Sequence, residues 1–254
     1  MRIAVLSDIH GNTLALDAVL DDIRQQGGAD AYWIVGDLAA MGPDPVGALE
    51  QMAELPNAVF VRGNTDRYVC NLVNPKDTLL WAQEAPQHAL GIIERLAMLT
   101  WAQGALIASG WMNWMTSLPL EHRTALPDGT RVLLVHAAPG TDDGDGIIPT
   151  LSDDALAHIV EGSEADLIFV GHTHDQLDRT INNVRVINLG SVSLPWAPDL
   201  RASYYLIEAD ERGHRLIHRR VGYDYAAVIA QLQRRNHPGI DVLGARFRGE
   251  KVPW

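Results

Sequence analysis

Seven side chains able to hold a metal fall into five short motifs: Asp8-Ile9-His10, Gly36-Asp37, Gly63-Asn64, His136, and Gly171-His172-Thr173-His174. Two carboxylates, four imidazoles and one amide make a mixed nitrogen–oxygen donor set. Such a set suits Mn, Fe, Zn, Ni or Co; Mg and Ca favour oxygen alone. Two such cations side by side generate a hydroxide nucleophile from water and clamp a phosphoryl group, so the chemistry this mixture points to is phosphoester hydrolysis. Taken singly, Asp-x-His and Gly-Asp are common in surface loops, and a lone histidine is more often structural than a ligand. His172-Thr173-His174 is more specific, because two imidazoles flank one residue directly after an apolar run, and Gly171 permits a tight backbone turn there. A single carboxylate such as Asp37 can bridge two cations. Asn64 offers an amide oxygen, although asparagine is also an ordinary turn former.

The strand pattern is what brings the motifs together. Arg2 to Leu6, Tyr32 to Val35, Ala58 to Val61, Arg131 to Val135 and Leu167 to Val170 read as strands, and each runs directly into one of the motifs. Ligand sites in open α/β sheets gather at the carboxyl edge, so the five motifs are expected in one cleft. Thr13 is expected to cap a helix with Leu16, Val19, Leu20 and Ile23 on its apolar face, ended by Gly27-Gly28. Pro43 to Ala53 reads as a second helix. Further on, Leu177 to Ile181 and Val184 to Ile187 flank Asn182-Asn183, a hairpin signal. Ser203 to Glu208 and Arg215 to Val221 read as two more strands, Tyr225 to Arg235 as an amphipathic helix, and Pro238 to Trp254 as irregular.

One domain over 1–254 is expected, with a helical insertion at about 68–120 that carries Trp81, Trp101, Trp111 and Trp114. Tryptophans at this density predict core packing, with a lid over the cleft or a homodimer face as the functional alternatives. No charged residue occurs between Arg95 and Glu121, a gap long enough to span a membrane. Gln103, Gly104, Ser109, Gly110, Asn113 and Pro119 within it instead predict two packed helices turning near Ser109-Gly110, with a membrane span as the lesser alternative. The formal net charge of −12 disfavours nucleic acid as a partner. It leaves a small phosphoester substrate open, since bound cations would supply local positive charge. The one cysteine, Cys70, excludes a disulfide within the chain and reads as a small buried hydrophobe. The apolar stretch from Met1 to Ser7 is too short for a signal-peptide core, so a cytoplasmic protein with no membrane partner is expected.

The five motifs in this order resemble the calcineurin-like metallophosphoesterases, over nearly the whole chain from Arg2 to about Tyr225. Asn188-Leu189-Gly190-Ser191 resembles a loop of the smaller prokaryotic members. The resemblance implies an α/β fold, a four-layer α/β/β/α sandwich of two β-sheets flanked by helices. It implies two divalent metal ions: the first held by Asp8, His10, Asp37 and His174, the second by Asp37, Asn64, His136 and His172, with Asp37 as the bridge. It implies a phosphodiesterase or phosphatase in which a metal-bound hydroxide attacks in line and no protein nucleophile is needed.

One position departs from that family. Many members carry a histidine after the Gly-Asn of the third motif, where it helps protonate the leaving group; this chain has Thr65, which cannot act as a general acid near neutral pH. General-acid help is worth about 100- to 10,000-fold. Either the substrate has a good leaving group, such as a phosphoanhydride or an aryl ester, or another residue substitutes, with His88 and His122 as the candidates. Asp66 is expected to orient a ligand, to N-cap the next helix, or both. Arg67 is expected to reach a substrate phosphate or to stay solvated on its helix. The run Asp142-Asp143-Gly144-Asp145-Gly146 reads as a solvated acidic turn at the cleft mouth. Thr65 also motivates the alternative, a catalytically weak metal-binding regulatory or scaffold module of the same fold. A nuclease is disfavoured by the acidic balance and the lack of a basic patch in the motif loops.

Overall fold

The computed structural model describes residues 1–71, 80, 83, 86–250 and 252. Ten strands form two five-stranded sheets among these residues. β1 (Arg2–Leu6), β2 (Ala31–Val35) and β3 (Ala58–Val61) pair in parallel, as short apolar strands joined by helical crossovers must. β4 (Glu121–Ala125), β5 (Arg131–Val135), β6 (Leu167–Val170), β7 (Leu177–Ile181) and β8 (Val184–Asn188) make the second sheet, in the order β4-β5-β6-β8-β7. The chain then returns to the first sheet with β9 (Ala202–Asp210) and β10 (Gly213–Val221), giving the order β10-β9-β1-β2-β3. The Asn182-Asn183 hairpin holds, with both residues left-handed at φ 47° and 65°.

Because side chains alternate along a strand, each strand serves two cores. Ile3, Val5, Trp33 and Val35 meet Val132, Leu134, Leu167 and Phe169 between the sheets. Their neighbours Ala4, Leu6 and Ile34 face the helices α1 (Thr13–Gln25) and α2 (Pro45–Ala53). On the far side, Leu133, Val135, Ile168 and Val170 pack under Leu156 and Val160 of the helix Asp153–Val160. The result is the α/β/β/α sandwich.

Two local expectations change. Asn12 rather than Thr13 caps α1, its side chain accepting from Ala15 N at 3.1 Å. The segment after Pro238 is not irregular: Ile240–Phe247 is a helix that buries Leu243, Ala245, Arg246 and Phe247.

In the insertion, Ala89–Ser109 is a helix that turns at Gly110 (φ 82°) into the short helix Met112–Thr116. At 21 residues it is long and apolar enough to cross a membrane by length and composition. Met98, Leu99, Ala102 and Leu106 face the core, while Leu90, Ile93 and Ile107 are exposed. Trp101, Trp111 and Trp114 pack inward; Trp114 meets Phe60 and Trp111 edge-on at 5.2 and 5.3 Å. Trp81 lies outside the described residues.

Candidate metal centre

The loops that leave β1 and β2 are zipped together by main-chain bonds, Asp8 N to Gly36 O at 3.1 Å, His10 N to Asp37 O at 2.9 Å and Gly11 N to Leu38 O at 2.9 Å. This pairing holds Asp8, His10 and Asp37 in the left-handed region at φ 57°, 49° and 54°. His172 and His174, past β6, are left-handed too, at 68° and 60°. Such backbone costs about 1–3 kcal/mol per residue and persists only where neighbours over-determine it. Here the loop after β8 supplies that constraint. Val192 N donates to Ser7 O at 3.0 Å, while the Ser191 hydroxyl and Ser193 N donate to Asp8 O at 3.0 and 3.1 Å. The Asn188 amide donates at 2.9 Å to Ile147 O and Gly171 O. The segment Asn188–Ser191 therefore fastens the carboxyl ends of both sheets.

Gly171 is needed for close approach rather than for a turn: a Cβ there would collide with Ser7 Oγ and Asp8 Oδ2, and the left-handed residues of its motif are the two histidines. Gly63 is required for the same reason against Asp37 Oδ1.

Three imidazoles are oriented alike. Nδ1 of His10, His136 and His174 lies 3.0, 2.8 and 2.7 Å from the carbonyls of Ala40, Val35 and Leu194. An acceptor at Nδ1 places the ring proton there and leaves the Nε2 lone pair for a metal. The Nε2 atoms of His10 and His174 face each other at 3.2 Å. Asp8 Oδ1 is 3.0 Å from His174 Nε2, and Asp37 Oδ2 is 3.6 Å from His10 Nε2 and 3.4 Å from His136 Nε2. Asp8 Oδ1 and His136 Nε2 are buried with no hydrogen-bond partner among the described residues, although charged neighbours lie this near. Lone pairs converging without a shared proton are what a cation resolves. His172 shows the same mismatch. Gly144 O, 2.8 Å from Nε2, takes that proton, so Nδ1 confronts Asn64 Oδ1 at 3.1 Å, acceptor against acceptor.

Two overlapping sets, Asp8/His10/His174 and Asp8/Asp37/His136, bring their donor atoms within 4.8 Å of one another. The donor set fits divalent metals. Asp37 reaches both His10 and His136, and Asp8 joins both sets, so either carboxylate stands where a bridge would be.

Burial opposes ionisation, but His174 and His10 keep Asp8 well below the usual carboxylate range, and His136 does the same for Asp37. Against the same burial, Asp37 and Asp8 raise the His136 imidazole to about 10.

Asp66 is not the N-cap of its helix α3 (Asn64–Cys70); it is the third helical residue, and Gly63 is the cap. Its carboxylate reaches back to accept Gly63 N at 2.9 Å and Leu38 N at 3.0 Å, tying the second motif loop to the third. Burial and the neighbouring Asp37 push it up to about 7. Arg67 is neither solvated nor in the cleft: Nε is 2.9 Å from Asp142 and Nη2 is 2.7 Å from Asp143. Within the acidic run, Asp142 alone is buried, between Arg62 and Arg67, while Gly144 and Asp145 are exposed and Asp145 lines the cavity.

A cavity of about 380 Å³ opens over the ligands. Its walls include Thr65 and Tyr68 of α3, Arg95 of the insertion, Asp145, and Trp196. Arg95 is the arginine in the described lining of this cavity, and neither it nor Trp196 carried a motif in the sequence. His122 lies on β4, away from the cavity lining. The side chain of His88 lies outside the described residues.

Residues 1–212 match the calcineurin-like phosphoesterase superfamily domain. An uncharacterised protein of Methanocaldococcus jannaschii is 28% identical over 96% of this chain and 96% of its own length. A symmetrical bis(5'-nucleosyl)-tetraphosphatase of Thioalkalivibrio sulfidiphilus is 32% identical over 70% of this chain and 56% of that enzyme. The crystal structure of a metallophosphoesterase from Sphaerobacter thermophilus superposes with a TM-score of 0.76 at 27% identity, covering 98% of this chain and 99% of that one. A hypothetical protein from Pyrococcus horikoshii shares the fold at a TM-score of 0.80 and 22% identity, over 99% of each chain.

Proposed function

We propose, for a chain that belongs to the calcineurin-like phosphoesterase superfamily, a hydrolase that cleaves a small phosphodiester or phosphomonoester with two divalent cations. The observation that carries this reading is the convergence of the His10, His136 and His174 Nε2 atoms on Asp8 and Asp37, each ring held by a backbone carbonyl at Nδ1. Cations bound there supply an activated water and the positive charge that a phosphoryl group needs. The chain's own work is to hold the donors rigid and to bury them: Asp8, His10, Asp37 and His136 are all nearly inaccessible to solvent. Thr65 lines the cavity; its N donates to Asp37 Oδ1 at 3.0 Å, and its hydroxyl is buried with no hydrogen-bond partner among the described residues. A threonine hydroxyl at this position cannot give up its proton near neutral pH. A substrate with a good leaving group follows. One relative bears the name symmetrical bis(5'-nucleosyl)-tetraphosphatase, and the anhydride links of a tetraphosphate have leaving groups of that kind. The net charge of −12 supports a small substrate over a nucleic acid.

The test is hydrolysis of bis-p-nitrophenyl phosphate beside p-nitrophenyl phosphate by metal-stripped protein resupplied with Mn. Turnover that needs the metal and falls at least 100-fold in Asp37→Asn is expected. Bound metal with no turnover of either ester would leave the regulatory module as the better reading.

A further inference from the structure

Among the described residues, Trp196 is the one large aromatic side chain on the cavity wall that stands substantially exposed, at 41%. Exposure of an indole normally goes with mobility, yet this one is fixed at two points. Its Nε1 donates to Thr173 O at 2.8 Å, the carbonyl between the ligand histidines. One ring face is covered by the Arg246 guanidinium, 4.4 Å from the centroid. Arg246 is itself buried in the helix Ile240–Phe247 and donates to Leu194 O at 3.1 Å, the carbonyl that also orients His174. The indole is therefore registered to the metal ligands through shared backbone, and its position in the wall leaves ring surface open to the cavity. The charges in the same cavity limit what can lie there. Asp145 and Asp175 are part of its lining, so a second bare anion is disfavoured, whereas a flat neutral ring with N–H donors is not. Arg95, with no ion pair among the described residues, supplies a cation on the insertion wall for a phosphate oxygen.

We infer that the cavity holds a nucleoside subsite, in which Trp196 stacks on the base of a nucleotide whose phosphate occupies the metal centre. The inference rests on the phosphoester reading for where the phosphate sits. A stacking platform on an aromatic side chain contributes on the order of 10-fold or more in affinity per base and tolerates any base, because every base has a π-face.

The experiment is calorimetric titration of AMP and of methyl phosphate into the Mn-loaded full-length protein, its Trp196→Ala variant and its Trp196→Phe variant. The readout is the ratio of the two affinities. AMP is expected to bind about 10-fold tighter than methyl phosphate in the parent. The ratio is expected to fall within about 2-fold of unity in W196A and to be largely kept in W196F. Equal affinities in the parent, a ratio unchanged in W196A, or no binding of either probe would overturn the inference. Because the readout is binding, it separates from the phosphoester reading. A protein that discriminates AMP but hydrolyses nothing sinks the hydrolase and keeps the subsite; one that hydrolyses esters without discrimination does the reverse.

Discussion

At the scale of single residues, Thr65 and Asp66 divide what a histidine–aspartate pair would do together. With threonine where a proton-donating histidine would stand, the rate is expected to depend steeply on leaving-group acidity. Phenyl phosphodiesters should be cleaved about 100-fold or more slowly than p-nitrophenyl ones, and Thr65→His should narrow that gap by restoring a proton donor. A flat dependence in the parent would show that another side chain supplies the proton. Asp66 acts on geometry. Both of its oxygens accept buried amides, so Asp66→Ala leaves Gly63 N and Leu38 N unpaired and is expected to cost about 2 kcal/mol in urea unfolding. Asparagine should not rescue it, because its NH2 would confront one of those N–H groups. A loss under 0.5 kcal/mol, roughly the scatter of a surface substitution, would contradict this.

Between elements, the strands meet so closely that glycine becomes a packing requirement. Gly171→Ala would push against Ser7 and Asp8, and it is expected to lower bound metal, read by elemental analysis, more than it lowers secondary structure. This layer was partly legible beforehand. β1, β2, β5 and β6 announce themselves as unbroken apolar runs because both faces are buried, and their ends name the ligands. β4 was hidden, because Glu121-His122-Arg123-Thr124-Ala125 is a half-exposed edge strand with no apolar period. The helix Ile240–Phe247 was hidden by its eight-residue length and by Gly244 in its middle. Asp66 was misplaced because Asn-Thr-Asp-Arg offers several capping registers, and only the Leu38 amide, a long-range contact, selects the third position. Ser191 and Trp196 act through backbone carbonyls, which leave no trace in residue type. The contact of Gly144 O with His172 is likewise set by topology alone.

For the molecule as a whole, the candidate ligands come from both sheets, so a bound cation would add to the hydrogen bonds that already join the two layers at their carboxyl ends. Metal at about 100 times its dissociation constant should add about 2.7 kcal/mol per site to stability. The expected signature is a melting temperature raised by Mn, lowered by EDTA and insensitive to both in Asp37→Asn. Acid should act elsewhere. His218, stacked on Tyr205 at 4.8 Å, and His237, against Trp101 at 4.6 Å, are each lowered by burial to about 4 from an ordinary 6.5. Between those values the unfolded chain binds protons that the folded one refuses, so their contribution is intact above about 6.5 and is lost as pH falls toward 4. Urea midpoints at pH 7 and pH 5 should differ accordingly, and His218→Gln with His237→Gln should shrink the difference. The strand order also bears on how the chain is made. β1 is bordered on one side by β2 and on the other by β9, whose Tyr205 to Glu208 pair with Arg2 to Val5. A ribosome that has delivered every candidate metal ligand through His174 has still not delivered β9, nor the Ser191 and Ser193 clamps on Asp8. Throughout that interval the nascent chain carries an apolar strand with a vacant hydrogen-bonding edge, a template for pairing with other chains. Messages truncated before residue 202 should therefore yield aggregates rather than a smaller folded protein, and the growing polypeptide should depend on chaperones until its last sheet strands emerge.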